Sequence, residues 1–213
     1  PSEVEMEIGW HVASLIEDGS TIQLGIGGIP NAVTSFLMEK RDLGVHTEML
    51  TDGMVDLFRA GVITGGAKTL WPDKMVGCFA LGSRKLYDFI DDNLGVELHG
   101  GHITNDPRVI AQNHKMVSIN TTMQVDLTGQ ANSETLGTRQ YSGGGGALNT
   151  CMGAQMSPGG KSILAMRSTA KRGPKSTIVA CFAEGQSVTN PRADIDYVVA
   201  GYGIAPSKAM NGR

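Results

Sequence analysis

The chain has 213 residues, 40% of them apolar and 18% charged, and 18 Lys and Arg against 21 Asp and Glu leave a net charge of −3. This is too apolar for a disordered chain and too evenly charged for a nucleic-acid binder, which carries a basic excess. Three cysteines, Cys78, Cys151 and Cys181, stand far apart with no CxxC pair, which excludes a disulfide framework and a cysteine-rich zinc site; they read as buried thiols in a reducing compartment.

From Ser2, a plausible N-cap, Val4, Ile8, Val12, Leu15 and Ile16 recur at helical spacing, with Gly19 as the stop. Thr21 to Leu24 reads as a short buried strand, followed by a glycine loop to Pro30 and a helix presenting Val33, Phe36 and Leu37. The rhythm repeats. Val45 to Leu50 is a strand, Asp52 caps a helix through Ala60, Met75 to Leu81 is a strand, and a helix runs near Ser83 to Ile90. Val96 to Leu98 is a strand, Asp106 and Pro107 open a helix through Gln112, and Met116 to Ile119 begins another strand. Strands alternating with helices argue for a mainly parallel sheet. The stretches 121–127, 162–167, 176–182 and 196–200 form a strand-rich tail, so a mixed sheet with late antiparallel members is expected, in one domain. No apolar run approaches the length of about 18 residues needed for a membrane span. The acidic Glu3, Glu5 and Glu7 do not resemble a leader, so a cytoplasmic location is expected.

Two glycine loops and one carboxylate stand out. Gly25-Ile26-Gly27-Gly28-Ile29-Pro30 lies between a strand and a helix, where backbone N–H groups and the helix dipole converge on an anion. Pro30 occupies the third glycine position of a dinucleotide fingerprint and no GK[ST] follows, so a tight turn without ligand is the competing reading. Gly143 to Gly146 is a run of four glycines; fixing it is entropically costly, which points to close approach of another molecule or of the chain itself, the alternative being a flexible surface loop. Glu48 falls near the C-terminal end of a predicted strand, the edge at which open α/β sheets hold ligands. It is either an exposed residue of the alternate face or a carboxylate placed for nucleophilic or general-base work. His99-Gly100-Gly101-His102 lacks a zinc spacing and reads as solvated loop histidines. Lys171-Arg172-Gly173-Pro174-Lys175 is a basic turn, solvated or phosphate-holding.

Several long segments in a fixed order give a more specific signal: LGIGGIPNAV from Leu24, LGVHTEMLTDGMVDL from Leu43, NDPRVIAQN from Asn105, INTTMQVDLTGQANSE from Ile119, GTRQYSGGGG from Gly137, GGKSILAM from Gly159 and DYVVAGYGIA from Asp196. Through these, nearly the whole chain resembles the acetyl-CoA hydrolase/transferase family, especially the 4-hydroxybutyrate and the butyrate or acetate CoA-transferases, over their C-terminal half. The resemblance implies an α/β fold with a mixed, mainly parallel sheet flanked by helices, the CoA-transferase (NagB/RpiA-like) domain, spanning 1–213. It also implies a fragment, an excised domain or one subunit of a split enzyme, with the family's N-terminal half or a partner subunit completing the cleft; a half-cleft left exposed would favour association, so a homo-oligomer is expected.

The activity implied is exchange of CoA between an acyl-CoA and a free carboxylate. Carried over by position, the nucleophilic glutamate is Glu48, Gly146 supplies an oxyanion-hole N–H and Asn105 is an active-site asparagine. The CoA-binding turn is Gly25, Ile26, Gly27, Gly28 and Ile29, with Gly145 and Lys171 also at CoA. CoA is a substrate, and no metal is implied. Three departures bear on this: Gly201 stands where the family's VTEYGIA segment has its glutamate, Arg167-Ser168-Thr169-Ala170 stands where the family commonly reads PSTA, and Asn149-Thr150 replaces an Asp-Phe pair. Acyl-CoA hydrolysis and a non-catalytic CoA-binding or assembly fragment are the alternatives.

Overall fold

A computed structural model describes residues 1–170, 173 and 175–207. Its first helix, α1 (Glu3–Ser14), starts where Ser2 Oγ accepts from the Glu5 N–H and the Glu5 carboxylate accepts from the Ser2 N–H, a reciprocal pair that satisfies two otherwise orphaned donors. The helix ends before Gly19, which instead shapes the following turn at φ +74°. Ile8 and Val12 on the helix and Ile16 just beyond it are completely buried, each such side chain contributing about 1.5–3 kcal/mol of apolar burial. Gly9 lets α1 approach the next helix closely, because a methyl there would sit 2.8 Å from the Ala32 backbone.

In chain order the remaining main elements are β1 (Thr21–Leu24), α2 (Gly28–Phe36), β2 (Gly44–His46), α3 (Asp52–Arg59), β3 (Met75–Gly77), α4 (Arg84–Ile90) and β4 (Val96–Leu98). The one-turn helices α5 (Gly101–Thr104) and α6 (Pro107–Ile110) follow, then β5 (Met116–Thr121), α7 (Ala147–Met156), β6 (Lys161–Ala165), β7 (Tyr197–Ala200) and β8 (Gly203–Pro206). The strands form one eight-stranded sheet in the order β8-β7-β6-β5-β1-β2-β3-β4. Every pairing in it is parallel except that of β7 with β8, which places Tyr197 opposite Pro206. The sheet is therefore mixed and mainly parallel, and antiparallel pairing enters it only at its last strand. From β1 the chain winds outward in both directions, so the strand order reverses between β1 and β5, where α/β folds place their ligands at the carboxyl ends of the strands.

Outside this sheet the predicted strands break up. The stretch 121–127 contributes Gln124–Asp126, which pairs antiparallel with Ala131–Asn132 and parallel with Ile178–Val179. At the start of α3 the N-cap is Thr51 rather than Asp52; the Asp52 carboxylate instead accepts from the Ser83 N–H and hydroxyl, tying the starts of α3 and α4 together. Of the three cysteines only Cys151 is fully buried, and burial pushes its thiol up to about 12; Cys78 is half-buried and Cys181 exposed, against the expectation for all three.

Candidate active site

The strand expected over 45–50 is interrupted at Thr47 and Glu48, and the interruption makes the site. Val45 and His46 pair with Met75 and Val76, and pairing resumes in the same register at Met49 with Phe79. Between them the Thr47 N–H donates to the Val76 carbonyl at 3.0 Å, and the Glu48 carbonyl accepts from the N–H groups of Cys78 and Phe79 at 2.8 and 3.1 Å. The backbone is thus fixed on both sides of Glu48. The residue is half-buried at the carboxyl edge of β2, and among the described residues its carboxylate has no hydrogen bond or ion pair.

Asn105 joins the two one-turn helices. Its N–H donates to the Gly101 carbonyl at 2.9 Å, closing α5, and the next residue, Asp106, caps α6 by accepting from the Arg108 N–H. The Asn105 side chain makes no hydrogen bond among the described residues, and its Oδ1 is buried without a partner.

Gly146 is the N-cap of α7 and is itself buried. A methyl group at this position would overlap Glu48 Oε2 and lie 2.9 Å from Asn105 Nδ2. Glu48, Asn105 and Gly146 therefore meet at one point. No backbone acceptor among the described residues takes the Gly146 N–H. A carboxylate, an amide with a buried unpaired oxygen, and a free N–H at the start of a ten-residue helix form a small polar cluster in which the helix dipole favours negative charge. What presses on the second glycine loop, at Gly146, is thus two side chains of the chain itself, while Gly144 stands in ordinary contact with Thr189 and Glu134. Gly145 is glycine for its backbone, φ +54°, with open space around it.

The first loop stands on the same edge of the sheet, at the strand adjacent to β2. Its Gly25 N–H donates to the Ile119 carbonyl at 3.3 Å, Ile26 is exposed and Ile29 is buried. Gly27 caps α2 at φ +117°, a conformation open to glycine. At Gly28 a side chain would collide with the Glu5 carboxylate of α1. Both glycines have a local structural reason, as the ligand-free turn reading requires.

Beneath both loops runs a polar network that inspection of the sequence does not single out. Gln23 of β1 and Asn120 of β5 form a reciprocal amide pair; Ser118 Oγ lies 3.0 Å from both Gln23 Oε1 and Thr150 Oγ1, and Asn120 Nδ2 donates to Thr150 Oγ1 at 3.1 Å. It links the strand that ends in the first loop to the helix that begins at the second. The only signal in the sequence is polar residues inside stretches that otherwise read as buried strand.

Lys171 and most of the basic turn lie outside the described residues. Gly201 lies beside α1, where a methyl would stand 3.3 Å from Val4 Cγ1 and 3.4 Å from Glu7 Oε2. His99 is not a solvated loop histidine: it stacks on Trp71 with ring centroids 4.7 Å apart and pairs with Glu97 at 3.0 Å, whereas His102 is exposed. Among the described residues no three His, Cys, Asp or Glu side chains are placed to share a metal ion, and no helix is long and apolar enough to cross a membrane.

Residues 82–213 match the model of the acetyl-CoA hydrolase/transferase C-terminal domain. The chain is 50% identical over 211 residues to the 4-hydroxybutyrate coenzyme A transferase of Clostridium kluyveri, covering 99% of this chain and 49% of that protein. It is 46% identical over 210 residues to the succinyl-CoA:cyclohexane-1-carboxylate CoA transferase of Geobacter metallireducens, covering 99% and 48%. The crystal structure of RipA from Yersinia pestis superposes with a TM-score of 0.92 at 41% identity, covering 98% of this chain and 47% of that one. The chain spans about half the length of the curated relatives it matches. By sequence and fold together, it belongs to the acetyl-CoA hydrolase/transferase family.

Proposed function

We propose that the chain is the C-terminal domain of a CoA-transferase that moves CoA between an acyl-CoA and a small carboxylic acid of the 4-hydroxybutyrate, butyrate or acetate type, with Glu48 as covalent nucleophile. The observation that carries this reading is the convergence of Glu48, Asn105 and Gly146 at the carboxyl edge of the sheet. A carboxylate is a weak nucleophile in water and gains reactivity when partly desolvated and held against a carbonyl carbon. Glu48 is half-buried and its backbone is fixed on both sides, with its oxygens uncommitted to any protein donor among the described residues, which supports this role.

In this reading a Glu48 oxygen attacks the thioester carbonyl, the C–S bond breaks, and CoA thiolate leaves a mixed acyl-glutamyl anhydride. The thiolate then attacks the glutamyl carbonyl and expels the first acid as its carboxylate, giving a glutamyl-CoA thioester. The acceptor carboxylate attacks that thioester, and the released thiolate takes the new acyl group from the second anhydride, restoring Glu48. Each tetrahedral intermediate places negative charge on oxygen. The Gly146 N–H and the Asn105 amide are the donors at hand, and fixed donors of this kind are worth about 10²–10³ in rate each. The turn Gly25 to Ile29, Gly145 and Lys171 are assigned to CoA itself, and the partner contributed by the family is the N-terminal half.

The test is a transfer assay on the polypeptide that the natural reading frame encodes, supplied with an acyl-CoA and a different free acid. Formation of the second acyl-CoA, abolished in Glu48→Ala, supports the reading. Release of free CoA at the same rate with and without the acid would instead assign acyl-CoA hydrolysis, and CoA binding without either product would leave a binding module.

A further inference from the structure

We propose that His46 is a positioning residue that sets the Asn105 amide against Glu48 and Gly146; the inference rests on reading those three residues as the reaction centre. The Asn105 side chain has no hydrogen bond of its own among the described residues, so the backbone at Thr104 and Asn105 decides where its amide points. That backbone is held by its own helical N–H bonds, by the Thr104 hydroxyl, which donates to the His99 carbonyl at 3.3 Å, and by a side chain from β2. His46, the last residue of β2 and 1% exposed, has Nε2 2.9 Å from the Thr104 carbonyl. A carbonyl only accepts, so Nε2 carries the hydrogen and Nδ1 is left as the acceptor. Asn113 Nδ2 fills that role as donor at 3.3 Å.

The imidazole thereby grips both ends of the segment 104–113, which carries Asn105. Asn113 is itself completely buried, and its carbonyl accepts a short bond from the Ser157 hydroxyl at the end of α7. The ring lies parallel to Trp71, with centroids 5.9 Å apart and planes 10° apart, and Trp71 stacks in turn on His99. With both nitrogens committed and the ring enclosed, His46 has no free atom to offer a substrate. Its place in the sequence adds to the argument. Only Thr47 separates it from Glu48, across the interruption of the strand, so one short stretch of chain presents the carboxylate and steadies the amide that faces it.

A double-mutant cycle tests this in the transfer assay. His46→Leu is expected to lower kcat about 10–100-fold while the KM for acyl-CoA stays within about 2-fold, because the lost interaction belongs to the transition state. His46→Gln, whose amide can still donate to Thr104, is expected to recover most of the loss. In an Asn105→Ala background, His46→Leu should cost less than about 3-fold, since residues acting through one another are not additive. An equal loss in both backgrounds, or a loss carried by KM, overturns the proposal. If the wild-type protein transfers no CoA, the functional reading fails, and crystal structures then judge the inference by themselves. Asn105 displaced from Glu48 and Gly146 in His46→Leu but retained in His46→Gln supports it; Asn105 unmoved in His46→Leu refutes it. Should the leucine variant not fold, a folded His46→Ala variant is read in its place: Asn105 displaced from Glu48 and Gly146 supports the proposal, and Asn105 unmoved refutes it.

Discussion

The two glycine loops look alike in sequence and differ in what made them glycine. In the first, Gly27 answers to a backbone angle of +117° and Gly28 to the Glu5 carboxylate of the neighbouring helix; both reasons belong to the fold. In the second, Gly143 faces open space, and only Gly146 is pressed, by the two side chains of the candidate reaction centre. A glycine-rich segment is thus a statement about close approach, and the approaching atom decides whether the glycine serves packing or chemistry.

This contrast can be broken by substitution, and the largest effect is expected at Gly146. Gly146→Ala places a methyl group where Glu48 Oε2 and Asn105 Nδ2 now lie. Turnover should fall by about 10²–10³, the worth of a displaced oxyanion donor. The thermal midpoint should move by no more than about 4 °C, since the strain is local. A variant that unfolds but keeps its turnover when stabilised would put Gly146 in the same class as Gly28.

The support beneath the second loop predicts a pH dependence of stability. Burial pulls His46 down from 6.5 to about 4, opposed by its bond to the Thr104 carbonyl, with the charges of Lys68 and His99 adding to the depression. A base whose folded pKa is lowered favours the folded state fully above pH 6.5, and that advantage is lost as the pH falls from 6.5 towards 4. The integrated loss is about 3 kcal/mol. Urea midpoints should decline over this window in the wild-type protein and decline less in His46→Gln; parallel curves would show that another group carries the slope.

Gly28→Ala should act on stability and leave kcat alone, any weakening of the hold of the turn Gly25 to Ile29 on CoA showing in KM. Displacing the Glu5 carboxylate disturbs the Ser2 capping pair and the bond to Arg167, at a cost of about 1–2 kcal/mol. Adding Glu5→Ala should remove most of the further cost of the methyl group, a pattern read directly from denaturation curves. A loss of kcat that Glu5→Ala does not relieve would mean that this glycine, too, faces the reaction centre. The smallest effect is expected from Thr150→Val, which deletes the hydroxyl shared by Ser118 and Asn120 and leaves a buried donor short of a partner, at about 1–2 kcal/mol. Both loops depend on that network, so the variant should soften both, as increased hydrogen exchange at 25–29 and 143–147.

How much of this was legible in the sequence depends on whether the signal was periodic. The strand Thr21–Leu24 and the Ser2 cap are written in local pattern, and both stand as read. Helix α7 is invisible to the same reading because its buried face consists of Thr150, Cys151, Gly153 and Ala154, small residues chosen for close packing; a methyl on Gly153 would overlap Ile110. Helix α5 is a single turn, too short for any periodicity. The break at Thr47–Glu48 is a matter of which strand lies alongside, since Cys78 and Phe79 supply the N–H groups that hold it open. Glu48, Asn105 and Gly146 are far apart in the chain, and residue patterns alone left Glu48 open between an exposed and a placed carboxylate. The family resemblance named all three, and their meeting is a property of the folded chain. The Gln23–Asn120 pair and His46 were missed altogether, because a polar side chain inside an apolar strand carries no mark of what it will bond.

The most direct test of the account is chemical. The protein is incubated with an acyl-CoA in the absence of acceptor acid, treated with borohydride and digested, and the mass of the peptide containing Glu48 is measured. Reduction of a glutamyl-CoA thioester to the alcohol, confined to that residue and absent without acyl-CoA, is the result the account predicts. A peptide of unchanged mass from protein that is turning over, or reduction at a different carboxylate, would contradict it.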